Sequence, residues 1–455
     1  MISGKRLRAS FRQRLTPPRI FILSFAALIA LGTVLLRMPF ATAGKELSFV
    51  DALFSSASAV CVTGLAVIDI GRDLTFAGQA VTLVLFQIGG LGIITFSVLL
   101  FGILGRGISF KEREIVQSTF LHTPRRDFIA VVKKILLLTL VSEGLGTMLL
   151  FARFAQDFPP GTALWHALYN AVSAFNNCGY SLFAENLIPY RGDTLVNLTV
   201  MGLIVLGGIG FIVQVEVLGL LRDAQKKLSL HTKIVLLTTA VLIAGGAALF
   251  YLFEAGHLLQ GVDGPTRLLD CLFQSVSART AGFNTLEIGK LTNPTILVLI
   301  ILMFIGASPG STGGGIKTTS FTLLLLLIWN RMQGRYEVNL FNRTIPREIL
   351  GRTVAIIFAS GFSVCLITSI LLFFGSGEAP AQSRHLFVEY LFETVSAFGT
   401  VGLSMGVTPG LNDLQKLAVV LMMFAGRVGP LALAFSWYAE GKKEIRYAEE
   451  QVMVG

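Results

Sequence analysis

Two groups of residues in this chain have types and spacings that could do chemistry. The first is a set of four short segments that each end in glycine: Val62-Thr63-Gly64, Asn177-Cys178-Gly179, Thr280-Ala281-Gly282 and Thr400-Val401-Gly402. Each closes a similar stretch: "DALFSSASAVCVTGLAV" from Asp51, "HALYNAVSAFNNCGYSL" from His166, "DCLFQSVSARTAGFNTL" from Asp270 and "EYLFETVSAFGTVGLSM" from Glu389. From aromatic residue to glycine the spacing is ten residues in the first, second and fourth stretches and nine in the third. A dehydrated monovalent cation needs oxygens in place of its water, and rings of backbone carbonyls supply them. Glycine permits the backbone angles that turn consecutive carbonyls to one side. The work falls on the backbone, so four segments with different side chains can share one role.

The second group is "SPGSTGGGIKTT", from Ser308 to Thr319, with Arg427 further along in "LMMFAGRVGPLAL". Gly310 to Gly315 has the glycine spacing of a phosphate-binding loop, but Ile316 stands before Lys317 where that motif needs the lysine at once. A hydrophobic helix follows and no strand precedes, so a nucleotide site is rejected. Pro309 and the glycines instead predict a broken helix. Its freed backbone groups must face water or protein. The flexible glycines and the hydroxyls of Ser308, Ser311 and Thr312, read as exposed, suit a movable obstruction. Arg427 in mid-bilayer costs about 2.5–3.5 kcal/mol on insertion scales, so it must face a cavity or find acceptors. Lys317 either snorkels toward the cytoplasmic side or joins the same electrostatic barrier.

The elements that position these residues follow from composition. Of 455 residues, 14% are charged and 53% hydrophobic, where soluble domains carry about 25% charged. Apolar runs of roughly 20 residues recur, which predicts an all-α polytopic membrane protein. Long helices are expected near 20–42 and 78–104, 132–156 and 195–221, 233–255 and 293–330, 351–375 and 414–438. Between the members of each pair lies a polar helix of about ten residues, too short to span. It can only enter and return, and irregular backbone at that depth must line a cavity. Four such re-entrant pore helices and eight transmembrane helices give pseudo-fourfold symmetry around one pore. Their C-terminal dipoles favour a cation at the axis. The predicted units are a basic tail 1–19, pore repeats at 20–105, 132–222, 233–330 and 351–440, connecting loops 106–131, 223–232 and 331–350, and a tail 441–455.

The net charge of +10 does not indicate nucleic acid, because it is placed by topology. Basic clusters fall at Lys5–Arg19, Arg106–Lys134, Arg222–Lys233, Arg331–Arg352 and Lys442–Arg446, which puts both termini in the cytoplasm by the positive-inside rule. These basic loops also suit lipid headgroups. The first apolar run is long enough to stay as a helix rather than a cleaved signal. Cys61, Cys178, Cys271 and Cys365 have no metal-ligand spacing and read as small buried residues. "GGLG" at Gly89–Gly92 and "GGIG" at Gly207–Gly210 read as helix-packing glycines. Glu143 needs water, a basic partner or another subunit, and Glu216 sits near a cytoplasmic helix end. Arg279 is expected to pair with an acid behind the third filter segment. Asn176 and Asn177 are expected to brace the second.

With these motifs in place, the chain resembles the Trk/Ktr/HKT superfamily of potassium transport proteins, four M1–P–M2 repeats in one polypeptide. The similarity covers essentially the whole chain. The first apolar run leads directly into repeat one, which makes it most similar to the Ktr-type membrane subunit. "GTVG" at Gly399–Gly402 also resembles potassium-channel filters. The resemblance implies a potassium filter at the four segments named above. In the family, serine at the first glycine position accompanies sodium transport, so Gly64 favours potassium. It further implies that Ser308–Lys317 is an intramembrane gating loop contacted by Arg427. It implies a homodimer with one pore per protomer and a cytosolic, KtrA-like ring that carries the regulatory nucleotide. No covalent cofactor and no catalytic step is expected, with K+ the transported ion and Na+ either coupled or an activator. The competing reading is an alternating-access carrier, which also uses broken helices; fourfold rather than twofold repetition argues against it.

Overall fold

The computed structural model describes residues 17–44, 46–92, 128–223, 225, 227–375 and 384–429. The expectations for the tail 1–16, for 93–127 with most of the first connecting loop, and for the end of the last helix and tail at 430–455 lie outside the described residues.

Each repeat places an outer helix first, then a pore helix, then an inner helix. The outer helices are α1 (Pro17–Leu36), α4 (Phe128–Phe154), α8 (Leu230–Glu254) and α12 (Arg347–Gly375). The pore helices are α2 (Phe49–Cys61), α5 (Pro160–Phe175), α9 (Gly264–Ser277) and α13 (Arg384–Gly399). The inner helices begin at α3 (Phe76–Gly90), α6 (Thr194–Gly208), α10 (Asn293–Phe304) and α14 (Asp413–Val428). Among the described residues, two inner helices resume after a break, as α7 (Phe211–Arg222) and α11 (Thr318–Met332).

Burial runs opposite to hydropathy, as a bilayer requires. The apolar helices α4, α8 and α12, with 27, 25 and 29 residues, exceed the length needed for a hydrocarbon core of ~30 Å. They expose Leu140, Met148, Leu252, Phe358, Phe362 and Phe373 outward. The less apolar pore helices are instead buried from Phe54 to Cys61, Tyr169 to Phe175, Phe273 to Ser277 and Phe392 to Gly399. With 13, 16, 14 and 16 residues, they are longer than the ten expected from sequence. Capping turns ahead of the motif account for this in two of them: Ser48 accepts from Asp51 N, and Asp263 from Thr266 N. They still fall short of a span.

The repeats close on themselves. The inner helices α3, α6, α10 and α14 pack on the pore helix of the next repeat, α5, α9, α13 and α2 in turn, so repeat four returns to repeat one. Ion pairs fasten two of these seams: Lys416 of α14 to Asp51 of α2 at 2.7 Å, and Arg191 before α6 to buried Asp270 of α9 at 2.7 Å. At the seam of repeats one and two, Trp165 Nε1 donates to Gln79 Oε1 at 2.8 Å. The polar residue opening each pore motif thus acts as a clasp at two of the four seams.

Three features differ from the sequence expectations. Inner helix two is not continuous over 195–221: α6 and α7 meet at 105° around Ile209–Gly210. The loop 331–350 holds a small hairpin, β1 (Asn339–Leu340) against β2 (Arg343–Thr344), turned by Phe341 and Asn342 at φ 49° and 60°, the two-residue turn that matches strand twist. Cys365 is exposed while the other three cysteines are buried, because it falls on the outward face of α12.

Candidate functional site

The site begins where each pore helix stops. In repeats one, two and four the helix ends in the same pair of backbone bonds. Thr63 N donates to Ser58 O, Cys178 N to Ser173 O and Val401 N to Ser396 O, each at 2.8 Å. A bond of this kind wraps the last turn and needs one residue of left-handed backbone. That residue is Val62, Asn177 and Thr400, at φ 58°, 58° and 49°. Repeat three is one residue shorter between its serine and its glycine, and Ala281 N reaches Ser277 O at 2.9 Å instead. The left-handed residue is nonetheless Thr280, φ 75°. The missing residue is absorbed in the helix exit, and the triplet keeps its register.

Two positions later comes each glycine: Gly64, Gly179, Gly282 and Gly402, at φ 86°, 80°, 73° and 95°. Between the two left-handed residues Thr63, Cys178, Ala281 and Val401 have negative φ. Alternating hand turns successive carbonyls toward one side. The four glycines also form a closed circuit. A Cβ on Gly64 would strike the Cys178 carbonyl, one on Gly179 would lie 2.6 Å from the Ala281 oxygen, one on Gly282 would strike the Val401 carbonyl, and one on Gly402 the Thr63 carbonyl. Each strand's glycine therefore abuts the carbonyl of the next, in the order one, two, three, four, one. The constriction leaves no room for side chains, only backbone oxygens.

Beneath two of these strands lies the interrupted part of inner helix three. The chain leaves α10 at Ile305 and returns at Lys317, pinched by a parallel bridge between Ile305 and Ile316. Ala307 N donates to Gly314 O at 3.3 Å, and Gly310 and Gly315 turn the loop at φ 68° and 69°. The loop touches the ring itself: Gly314 N donates to Thr400 Oγ1 at 2.9 Å, and a Cβ on Gly313 would overlap Thr280 Oγ1. The hydroxyls expected to be exposed are not. Ser308, Ser311 and Thr312 are buried; Ser308 Oγ pairs with Thr318 Oγ1 at 2.9 Å and Ser311 Oγ donates to Ser308 O at 2.5 Å. Deep in the protein a free hydroxyl would cost roughly 1–3 kcal/mol, so local partners are required.

The break in inner helix two has the same cause. Gly207 and Gly208 lose helical N–H partners where α6 ends. Their carbonyls accept instead from Thr312 N at 3.3 Å and Ser308 N at 3.0 Å, while Phe211 N donates to Gly310 O at 2.9 Å. The glycines of "GGIG" thus receive the loop, and Gly210, at φ 92°, makes the bend. Packing is part of their role, since a Cβ on Gly207 would strike the Phe175 carbonyl.

Arg427 sits at the far side of the loop, 8% exposed. Its guanidinium donates to Thr312 O, to Gly89 O at 2.5 Å and to Gly90 O at 3.3 Å. It therefore bridges the loop of repeat three to the inner helix of repeat one. Lys317 turns back into its own loop, with Nζ at 2.7 Å from Gly313 O and 3.4 Å from Gly314 O. Two cationic groups thus converge on carbonyls directly below the ring.

A signal for the bridge was present in the sequence and passed over. Gly89, Gly207, Gly306 and Gly426 each follow the N-cap of their inner helix (Thr75, Asp193, Thr292, Asn412) at one fixed spacing. The next residue is Gly90, Gly208, Ala307 and Arg427. One repeat carries a long cation where the other three carry almost nothing, and those small residues leave the space it fills.

Two other polar residues, Arg279 and Glu143, are placed differently from expectation. Among the described residues Arg279 has no acidic partner. Its guanidinium lies 3.4 Å from Thr239 Oγ1, beside a small cavity lined by Ile204, Gly208 and Ile243. Glu143 meets neutral amides, Gln87 and Asn176, at 3.3 and 3.2 Å. Glu216 accepts from Ser229 and Thr232 at the start of α8. Asn177 has its side-chain amide 3.1 Å from Thr280 Oγ1, and with its nitrogen toward the Ala174 and Ile204 carbonyls it links the glycine strands of repeats two and three.

A fourfold circuit of re-entrant backbone above a cationic constriction defines a membrane protein that passes cations. The chain belongs to the TrkH family of cation transport proteins, whose family model matches residues 12–443. It is similar to Ktr system potassium uptake protein B of Bacillus subtilis, 40% identical over 97% of each chain. The protein of the same description from Vibrio alginolyticus is 37% identical over 96% of this chain and 95% of that one. The potassium/sodium uptake protein NtpJ of Enterococcus hirae is 34% identical over 99% of both. The crystal structure of the potassium transporter TrkH from Vibrio parahaemolyticus shares the fold, with a TM-score of 0.67 at 19% identity over 92% of this chain and 83% of that one.

Proposed function

We propose that this chain is the ion-translocating subunit of a potassium uptake system in the cytoplasmic membrane, with both termini on the cytoplasmic side. The observation that carries the reading is the closed circuit of Gly64, Gly179, Gly282 and Gly402, each against the next strand's carbonyl. Potassium sheds part of its water at the outer mouth and is held by backbone oxygens of Val62–Gly64, Asn177–Gly179, Thr280–Gly282 and Thr400–Gly402. It then meets the Ser308–Lys317 loop. There the Arg427 and Lys317 charges raise the barrier, and the loop's bonds to Gly207, Gly208 and Thr400 hold it across the path. Opening requires Arg427 to leave Thr312, Gly89 and Gly90. Inward flux follows the membrane potential, about 2.3 kcal/mol per charge per 100 mV. The relatives' names as potassium uptake proteins support the choice of ion, and the potassium/sodium relative supports a role for sodium.

The working assembly is a homodimer beneath which a cytosolic, nucleotide-binding ring docks. The basic segments Gly105–Lys134 and Arg222–Lys233 are its contact surface. The Ktr system names of the relatives support a multi-component system. The test is ion flux into liposomes that hold only the purified chain, with potassium and sodium compared under imposed voltage. Potassium-preferring flux, alone or after a regulatory ring is added, supports the reading. A folded sample silent in both conditions, or one that moves potassium only against a counter-gradient of sodium or protons, overturns it for a coupled carrier.

A further inference from the structure

Glu143 lies in the middle of α4, an outer helix, and is 6% exposed. An intramembrane acid so placed is costly and is expected to pair or to serve a function. Among the described residues no cation pairs with it. Its two oxygens are instead taken by two neutral amides. Gln87 Nε2 of α3 donates to Oε2 at 3.3 Å, and Asn176 Nδ2 donates to Oε1 at 3.2 Å. The same Asn176 nitrogen shares its two hydrogens also with Gln87 Oε1 at 2.5 Å and Val172 O at 2.8 Å. Side chains from α3, α4 and the end of α5 therefore close a buried triangle.

Two corners of that triangle lead to the ion path. Asn176 ends α5 and directly precedes Asn177, the left-handed residue that starts filter strand two. Gln87 lies within one turn of Gly89 and Gly90, whose carbonyls receive Arg427. The corners also touch. Asn176 Oδ1 is buried with no hydrogen-bond partner, and it stands where a Cβ on Gly90 would be, with Asn176 Cγ only 2.8 Å from that point. The equivalent positions in the other repeats are Cys61, Arg279 and Gly399, so no other repeat can build this triangle.

From this geometry we infer that Glu143 is a positioning residue: through Asn176 and Gln87 it ties filter strand two to the Gly89–Gly90 carbonyls on which Arg427 rests, and so couples selectivity to gating. The inference rests on the proposed filter and gate. A filter strand that shifts would move Gly90 by direct contact, and an arginine that leaves Gly90 would free Asn176.

The experiment measures potassium and sodium flux in liposomes for the full chain with Glu143→Leu, Glu143→Gln and Gln87→Leu, each also combined with Arg427→Ala. Glu143→Leu is expected to raise sodium flux relative to potassium several-fold and to raise basal potassium flux several-fold. Glu143→Gln, which keeps one acceptor, is expected to fall between it and the unaltered chain. With Arg427→Ala present, the increment in basal flux should shrink to within about twofold, because coupled residues are non-additive. Additive increments, or a folded Glu143→Leu with unaltered flux ratio, overturn the inference. If Glu143→Leu does not fold, Gln87→Leu decides, since Gln87 is only half-buried and makes the other corner. Arg427→Ala alone separates the levels. Unchanged flux removes the gate and this coupling with it; raised flux with a neutral Glu143→Leu removes the coupling only.

Discussion

The ring of four glycines and the plane of residues just below it are made by the same four repeats, yet they use repetition in opposite ways. In the ring, four different triplets share one alternation of backbone hand, and each glycine abuts a carbonyl of the next strand. In the plane, one position reads Gly90, Gly208, Ala307 and Arg427, and among the described residues only repeat three opens into a long loop. A bare cation is spherical, so equal oxygens on all sides replace its water best. A barrier has no such need. One cation suffices, and four would repel each other and find no room. In the proposed function, symmetry serves binding and its breaking serves control.

The comparison breaks most directly at Arg427. At an effective dielectric near 20, a fixed charge costs a cation roughly 6–8 Å away about 2–3 kcal/mol. Arg427→Ala should then raise basal potassium flux about 100-fold, read in liposomes without the regulatory ring; removal of Gly313–Gly315 should act in the same direction. Flux that stays flat despite normal folding would mean the asymmetric plane is not the barrier.

Gly402→Ser attacks the symmetric half. Its φ of 95° and the contact with Thr63 O leave no place for a side chain, so one quadrant must shift. The potassium-over-sodium flux ratio should drop about tenfold, equivalent to ~1.4 kcal/mol. An unchanged ratio would argue that selectivity does not reside in the ring.

Thr400→Val tests the joint between the two regions. It removes the acceptor for Gly314 N, worth roughly 1 kcal/mol. Basal flux should rise about fivefold with a smaller change in selectivity. The reverse pattern would place Thr400 with the filter alone. Asp270→Asn probes the seam that holds repeats two and three in register. Asp270 is fully buried but Arg191 is 29% exposed, so solvent screening lowers the loss to about 1–2 kcal/mol. The midpoint of thermal unfolding should fall by a few degrees, with the flux ratio preserved; loss of selectivity would show that the seam also shapes the ring.

Much of this arrangement is legible in residue order because the bilayer allows few solutions. Apolar runs must become helices, and a short polar helix between two of them must turn back. Four aromatic-to-glycine stretches fix where the constriction lies, and a lone arginine in "LMMFAGRVGPLAL" marks a residue that needs acceptors. Even the shortened third stretch keeps a left-handed residue two positions before its glycine, because the missing residue falls in the helix exit. The partners were less legible. Arg279 found a threonine where an acid was expected, Glu143 found two amides, and the hydroxyls of the loop turned inward.

Sequence alone determined the helical membrane architecture, the fourfold repeat, the positions of the glycine turns and the site of the broken third inner helix. Each follows from local composition and from the rule that backbone groups in hydrocarbon must be satisfied within the chain. Only the tertiary structure decided that the second inner helix also breaks, that its freed carbonyls receive the loop, and that Arg427 reaches across to Gly89 and Gly90. Those bonds join residues hundreds of positions apart, and which carbonyl meets which donor depends on where four helices end around one axis.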